Sequence, residues 1–416
     1  MMKSRYNRQD QANSVFSVLY LNPFDEHNNN CNNNCNNNEY NINDENNNNK
    51  IALMDINGNK GKEFWHLFRV PFNEFVFIAN GFSSQNKMKD VSGCPAVDCH
   101  LLVLGLLWFL AWGVPFKQLE ELSQVSEFTH CYFFLEEFLP WGCRLACNNI
   151  YLPRTPNKLT AVENKYRRKG LPGCVGSVDC VHVQWDRCPS GFKGECHGKA
   201  GTPTLAFEVV VAHDRRIQSV STYNPGAQND KTIAQNDNAI AELRRQGTFL
   251  SNQTFEPKCP DGTTRTHHRS YVICNGGYCQ WTCLILPFKD QTETSEFYGW
   301  SKQVEGLRKD VECTFGILKK CFMVLKNPIR FEKPGVIQDM FVTCCAMHNA
   351  LLEYDHPEDD INQANENNDV VDGVGGHGGQ AIGSFMMTTN RQFHERRQAL
   401  VNHYNICANE HSIDLN

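Results

Sequence analysis

The spacing of apolar residues changes near residue 160. Before it, apolar side chains recur at three- and four-residue intervals, which predicts helices over 63–79, 99–112, 116–122 and 127–138. Gly113 and Ser126 supply a stop signal and an N-cap for two of these helices. We therefore expect a small all-α domain over 63–160, in which consecutive short helices resemble a helix-turn-helix arrangement.

The composition of the helix predicted over 127–138 bears on whether this domain reads DNA. Its sequence, EFTHCYFFLEEF, is aromatic and acidic, whereas a helix that enters the major groove is usually basic. A structural helical bundle is favoured over a DNA-reading domain. The longest apolar run, Leu101–Trp112, is too short to cross a bilayer and indicates a buried core helix.

From residue 161 to 352 the pattern becomes one of strands alternating with helices. Runs rich in β-branched residues predict strands, and two longer amphipathic segments predict helices. The predicted strands are 176–183, 204–212, 217–223, 270–274 and 283–288, and the predicted helices are 229–246 and 295–324. Three strands in hairpin succession, followed by alternating helix and strand, predict an α/β domain with a mixed sheet flanked by helices, in the order of a ribonuclease H-like core.

The two ends of the chain have a different composition. Residues 1–62 contain an asparagine-rich tract over 26–50 with almost no large apolar side chains, and such a segment cannot bury enough surface to fold alone. Residues 353–416 form an acidic low-complexity tail, in which 393–404 has weak helical periodicity. We predict disordered terminal segments, with a terminal helix that either docks on the chain or folds on a partner.

The distribution of charge and the composition of the N-terminus indicate which ligands and which compartment suit this protein. The formal net charge is −6, but residues 160–335 carry 24 Lys and Arg against 18 Asp and Glu, so this region is +6 and the remainder −12. A basic centre suits a protein that handles phosphates, although chance asymmetry on solvated faces is an alternative. The N-terminus lacks the apolar region of a secretory signal, which indicates an intracellular protein.

The twenty cysteines are interpreted mainly as reduced, small apolar residues. A zinc-dependent interaction module is a minor hypothesis, because no candidate set contains the usual pair of closely spaced cysteines. The candidates are Cys94 with Cys99 and His100, Cys188 with Cys196 and His197, and Cys274 with Cys279 and Cys283.

Two acidic residues stand out as candidates for chemistry. Asp179 lies inside the apolar strand GSVDCVHV, where a carboxylate is costly unless a partner such as a metal ion compensates it. Glu312 borders an apolar helical stripe and shares its side of the helix with Arg308 and Lys319. The simpler interpretation of Glu312 is an ion pair with Arg308 four residues earlier, and for this residue alone that interpretation is favoured.

Several motifs in the same order resemble the PIF/Harbinger superfamily of DDE transposases and their plant-transposon-type relatives. The motifs are LPGCVGSVDCVHVQWDRCP, YNPGAQNDKTI, CNGGY, RKDVECTFGILKKCFMVLKNPIRF and CCAMHNALLE, together with the helical segments FRVPFNEFVFI and LGLLWFLAWGVPFKQLEELSQVS. The resemblance covers roughly residues 64–353.

This resemblance implies a metal-dependent DNA endonuclease. In the family, an Asp-Asp-Glu triad binds two divalent cations, Mg²⁺ or Mn²⁺, which suits hard carboxylate oxygens. Asp179 matches the first acid and Glu312 the third. The resemblance also implies double-stranded DNA as substrate, a Myb/SANT-like DNA-binding partner, a homo-oligomer and a nuclear location, with the cytoplasm as a second compartment. Candidate DNA contacts are Arg308, Lys309, Lys319 and Lys320.

The second acid of the triad is missing. Its position is Asn275, 96 residues after Asp179 and 37 before Glu312. Replacing a carboxylate by an amide removes a unit charge worth about 4 kcal/mol per nearby charge, or roughly three orders of magnitude in rate. The alternative hypothesis is therefore a domesticated protein that binds DNA or a partner without cutting. Substitution by Asp230 or Asp261 is not expected, since neither should lie at the strand end, and deamidation at Asn275-Gly276 would regenerate an acid.

Overall fold

A computed structural model of the chain describes residues 59–85, 97–352, 354 and 385–414. Of the segments predicted to be disordered, 1–62 and 353–416, residues 1–58, 353, 355–384 and 415–416 lie outside the described residues, as does Cys94. Residues 59–62 belong to a helix, so the prediction of disorder was wrong for them. The chain divides into two compact units, Met1–Trp141 with Cys321–Asn327, and Gly142–Lys320 with Pro328–Asn416. The division falls before the limit at 160 that the apolar pattern suggests, and the four-part division of the sequence stays a prediction.

The described part of the first unit consists of helices. They are α1 (Asn59–Phe68), α2 (Phe72–Gln85), α3 (Cys99–Trp112), α4 (Phe116–Ser123), α5 (Glu127–Phe133), a π-helical turn (Phe134–Phe138), the start of α6 (Leu139–Asn149) and a 3₁₀ turn (Met323–Leu325). Helix α3 is buried along most of its length and ends at Gly113, whose φ of 64° is left-handed. Ser126 caps α5, because its hydroxyl accepts a hydrogen bond from the backbone N–H of Thr129.

The segment 63–79, which the apolar pattern treats as one stretch, is two helices. Arg69 adopts a left-handed φ of 59°, and Pro71 lacks the N–H that a continuing helix would need. Within the described ranges, no helix combines the length and the apolar character needed to cross a membrane.

A mixed sheet forms the centre of the second unit. Its strands are β1 (Cys174–Gln184), β2 (Thr204–Val211), β3 (Ile217–Val220), β4 (Asn224–Pro225), β7 (Tyr271–Ile273) and β8 (Leu284–Ile285). The order is β3-β2-β1-β7-β8, with β4 also pairing with β2. Strand β2 is antiparallel to both of its neighbours β1 and β3, whereas β7 and β8 run parallel to β1. The predicted mixed sheet is confirmed, and the ribonuclease H-like assignment stays a prediction.

Helices cover both faces of this sheet. They are α7 (Pro156–Arg168), α8 (Lys193–Cys196), α9 (Asp230–Asn236), α10 (Asn238–Arg244), α11 (Tyr298–Cys321), α12 (Pro334–Leu351) and α13 (Phe385–Asn409), with a 3₁₀ turn at Leu250–Asn252 and a small hairpin of β5 (Thr254–Phe255) and β6 (His267–His268). Phe207 of β2 stacks on Phe341 of α12 with ring centroids 4.2 Å apart. Side chains alternate along a strand, so Val210, three residues after Phe207, faces the other way, into a core cluster with Ile240 of α10.

The helix predicted over 229–246 is interrupted. Asp237 adopts an extended conformation and accepts a hydrogen bond from the N–H of Ile240, so it ends α9 and caps α10. The prediction of one continuous helix was wrong, because a capping aspartate competes with the helical backbone for the same N–H groups.

The C-terminal helix α13 packs into the core of the second unit. Phe393, Leu400 and Val401 are fully buried there. The buried guanidinium of Arg396 donates hydrogen bonds to the backbone carbonyls of Arg269 and Thr282. A helix beyond the region of family resemblance is therefore a structural part of the sheet domain.

Candidate active site

The register of two parallel strands brings Asp179 and Asn275 together. Ser177 of β1 lies opposite Ile273 of β7, and the two candidate residues each come two positions later, on the same face. The amide nitrogen Nδ2 of Asn275 donates a hydrogen bond of 3.1 Å to Oδ1 of Asp179. Residues 96 positions apart in the chain are thus in direct contact.

Helix α11 adds Glu312 to this pair through Arg308. Nη1 of Arg308 lies 3.2 Å from Oδ2 of Asp179 and 2.6 Å from Oε1 of Glu312. Because one nitrogen makes both contacts, the two carboxylate oxygens are at most 5.8 Å apart, the sum of the two distances. The ion pair between Arg308 and Glu312 predicted from their spacing is confirmed, and Asp179 is its third member.

The carboxylate of Asp179 is surrounded by donors in a buried setting. Besides Asn275 and Arg308, the backbone N–H of Cys180 donates to its Oδ1 at 2.9 Å. Burial raises the pKa of Asp179 to about 6, even though the Cys180 N–H and Arg308 favour the ionised form. The negative charges of Asp230 and Glu312 raise the pKa further. An additional positive charge at this position would therefore stabilise the ionised carboxylate.

The side chain of Asn275 uses both ends of its amide. Oδ1 accepts a hydrogen bond of 2.7 Å from the backbone N–H of Gly277, while Nδ2 donates to Asp179. An aspartate at 275 could accept from Gly277 but could not donate to Asp179 at neutral pH. The amide therefore replaces a repulsive contact between two carboxylates by a hydrogen bond.

Asp230 lies beside Asn275, contrary to expectation. A Cβ added to Gly277 would meet Oδ2 of Asp230 at 2.6 Å and Oδ1 of Asn275 at 2.8 Å. The expectation that Asp230 lies away from the end of β7 was wrong. The residues of α9 do not by themselves show which part of the sheet the start of this helix approaches. Asp261 instead lies in an exposed turn, where its carboxylate accepts from Thr263.

The other predicted residues occupy different environments. Nζ of Lys319 donates to the backbone carbonyl of His182 at 2.8 Å, and burial lowers the pKa of this lysine. Lys309 and Lys320 are exposed on α11. His182 lies on the face of β1 opposite to Asp179, as its spacing predicts, and its Nδ1 contacts Oγ1 of Thr204 at 3.0 Å. DNA contact by the three lysines and by Arg308 stays a prediction.

The donor chemistry of this cluster suits a divalent cation. Among the described residues, no three His, Cys, Asp or Glu side chains already converge as a metal site. Position 275 is an amide, and the guanidinium of Arg308 stands between Asp179 and Glu312. Carboxylate and amide oxygens are the ligands that Mg²⁺ and Mn²⁺ prefer, so the oxygens of Asp179, Asn275 and Glu312 fit such an ion if it takes the place of the guanidinium.

Comparisons with known proteins agree with the motifs. Residues 150–359 match the family described as plant transposon protein. Curated relatives named "Putative nuclease HARBI1" are similar to this chain. The bovine protein is 24% identical over 49% of the chain and 54% of its own length, and the human protein is 22% identical over 68% and 75%. The rat protein is 23% identical over 49% and 54%.

The chain spans about half the length of the bovine and rat relatives. No solved structure matches it. The family match covers half of the chain, including the whole cluster of Asp179, Asn275, Arg308 and Glu312. The chain belongs to the plant transposon protein family.

Proposed function

We propose that this protein is a transposase-derived DNA endonuclease of the DDE type, with a ribonuclease H-like sheet and a second acid replaced by Asn275. The observation that carries the proposal is the position of Asp179 in the middle of β1, where it accepts a hydrogen bond from Asn275 just after β7 and shares Arg308 with Glu312 of α11. Double-stranded DNA is the proposed substrate, and a Myb/SANT-like partner, self-association and a nuclear location belong to the same proposal.

Each side chain has a defined part in the proposed reaction. Asp179 and Glu312 would hold Mg²⁺ or Mn²⁺, together with the carbonyl oxygen of Asn275. Two such ions would activate a water molecule and stabilise the leaving 3′ oxygen of the DNA strand. Arg308 provides a positive charge that a phosphate group could bind in place of the two carboxylates.

The amide at position 275 sets the expected activity. It offers one neutral oxygen where the family has a carboxylate, so the site loses a unit charge next to the cations. At an effective dielectric constant near 20, this loss is worth about 4 kcal/mol at about 4 Å. That energy corresponds to roughly a thousandfold slower cleavage.

Nicking of supercoiled plasmid DNA by the purified full chain tests the proposal. We expect weak cleavage with Mg²⁺ or Mn²⁺, cleavage roughly a thousandfold faster in Asn275→Asp, and none when Asp179→Asn or Glu312→Gln is added to Asn275→Asp. The proposal is overturned if Asn275→Asp cuts no DNA, or if the two added substitutions leave its cleavage unchanged. Equal cleavage by wild type and Asn275→Asp would overturn the role given to position 275.

A further inference from the structure

The carboxylate of Asp230 is available for binding. Asp230 is the first residue of α9, but the N-cap of that helix is Asn229, whose Oδ1 accepts from the N–H of Thr232 at 2.9 Å. Asp230 is half-buried, and within the described part of the chain no hydrogen bond or ion pair engages its carboxylate. Neither capping nor a salt bridge therefore accounts for an acid at this position.

The backbone of Gly277 separates Asp230 from Asn275 by a small gap. Oδ2 of Asp230 and Oδ1 of Asn275 lie 2.6 Å and 2.8 Å from the point that a Cβ of residue 277 would occupy, so the two oxygens are at most 5.4 Å apart. Two oxygen ligands of one Mg²⁺ or Mn²⁺ ion lie at most about 4.2 Å apart, because each metal–oxygen bond is about 2.1 Å, so these two oxygens share an ion after a shift of at most about 1.2 Å. Any side chain at 277 would fill this gap.

The charge of Asp230 also reaches the first acid. After burial, which is the largest cause, the negative charge of Asp230 contributes to the raised pKa of Asp179. The same charge acts on His182 and Cys180 on the other face of β1. The charge of Asp230 therefore acts on side chains of both faces of β1.

We propose that Asp230 supplies the carboxylate that position 275 lacks, so that a divalent cation is held by Asp179, Asp230 and the carbonyl oxygen of Asn275. This inference rests on the proposed function. Together with Glu312 the site then contains three carboxylates, the number in an Asp-Asp-Glu triad. Asp230 contributes to binding of the cation from α9, whereas the end of β7 still lacks the carboxylate whose absence slows cleavage.

Titration of Mn²⁺ into the full chain, followed by electron paramagnetic resonance of the free ion, measures this site without cleavage. Asp230→Asn should weaken Mn²⁺ binding at least tenfold, whereas Asp261→Asn, the control at an exposed aspartate, should not change it. The double variant Asp230→Asn/Asn275→Asp should recover most of the affinity. Gly277→Ala should weaken binding without removing a charge, because its methyl group enters the gap.

The outcomes separate this inference from the function on which it rests. If Asp179→Asn and Glu312→Gln weaken Mn²⁺ binding but Asp230→Asn does not, Asp230 is not a ligand and the inference is overturned. If none of these variants changes Mn²⁺ binding, the metal site of the proposed function is itself overturned. Circular dichroism spectra that match the wild type confirm that each variant is folded.

Discussion

Two asparagines of the sheet domain, Asn349 and Asn275, form hydrogen bonds with different kinds of partner. Asn349, in α12, is 1% exposed and binds the outer strand β3. Its Oδ1 accepts from the N–H of Ile217 at 2.8 Å, and its Nδ2 donates to the carbonyls of Ile217 and Asn149 at 2.7 Å and 3.0 Å. Asn275 is half-buried and donates instead to a carboxylate, that of Asp179.

The partners explain why one amide is replaceable and the other is not. The partners of Asn349 are mainly backbone groups, whose donor and acceptor pattern is invariant, so only an amide satisfies them. The partner of Asn275 is an ionisable group that a cation could satisfy equally well. An acid is therefore compatible with position 275 when a cation is present, and incompatible with position 349 under any condition.

The largest effect is expected for Asn349→Asp. A carboxylate cannot donate to the two carbonyls, and it places a charge in a buried position, so the free energy of unfolding should fall by about 4 kcal/mol or more. Urea denaturation followed by circular dichroism measures the change, and Mn²⁺ should not restore stability. A loss below about 1 kcal/mol would show that these hydrogen bonds do not hold β3.

Glu208 of strand β2 allows the opposite substitution to be tested, the replacement of an acid by an amide. This residue is 1% exposed, and burial raises its pKa to about 9. Above about pH 4.5 the unfolded chain loses this proton while the folded chain keeps it until about pH 9. The free energy of unfolding should therefore fall by up to about 1.4 kcal/mol per pH unit across this interval.

Glu208→Gln removes this dependence. At pH 7 the variant should be more stable than the wild type by up to about 3 kcal/mol, and at pH 4 the two should be equal. Urea denaturation at both pH values checks the prediction. If the free energies of unfolding of the variant and the wild type differ by the same amount at pH 4 and at pH 7, Glu208 does not keep its proton in the folded chain.

A smaller effect is expected for Asn275→Asp in the presence of a chelator. Replacing the hydrogen bond to Asp179 by a contact between two carboxylates should cost about 1 to 2 kcal/mol of the free energy of unfolding. Addition of Mn²⁺ should recover this loss, in contrast to Asn349→Asp. The comparison between the two asparagines fails if Mn²⁺ has the same effect on both variants.

The smallest effect is expected for Asn275→Ala. Its amide is half-buried, and water can reach the groups that it leaves, so the loss should be about 1 kcal/mol or less. Asn349→Ala should cost several times more in the same urea experiment. Equal losses would indicate that Asn275, too, is mainly a structural residue.

Much of the local structure was readable from the sequence. Helix α3 has the predicted limits 99–112, because Gly113 ends it, and β1 and β2 differ from prediction by two residues or fewer at each end. The two-residue strands β4, β5 and β6 were missed because so short a segment has no periodicity. The packing of α13 was left undecided, since its periodicity alone could not identify the surface it contacts.

The candidate site, too, was predicted in part from the sequence, and the rest of it depends on the tertiary structure. Motif order and spacing were enough to select Asp179, Asn275 and Glu312, because each side chain occupies a recognisable place on a strand or helix. The bridging position of Arg308 and the approach of Asp230 across Gly277 depend on how α11 and α9 pack on the sheet. Contacts between elements distant in sequence are set by the packing of the whole domain, and no local pattern of residues specifies them.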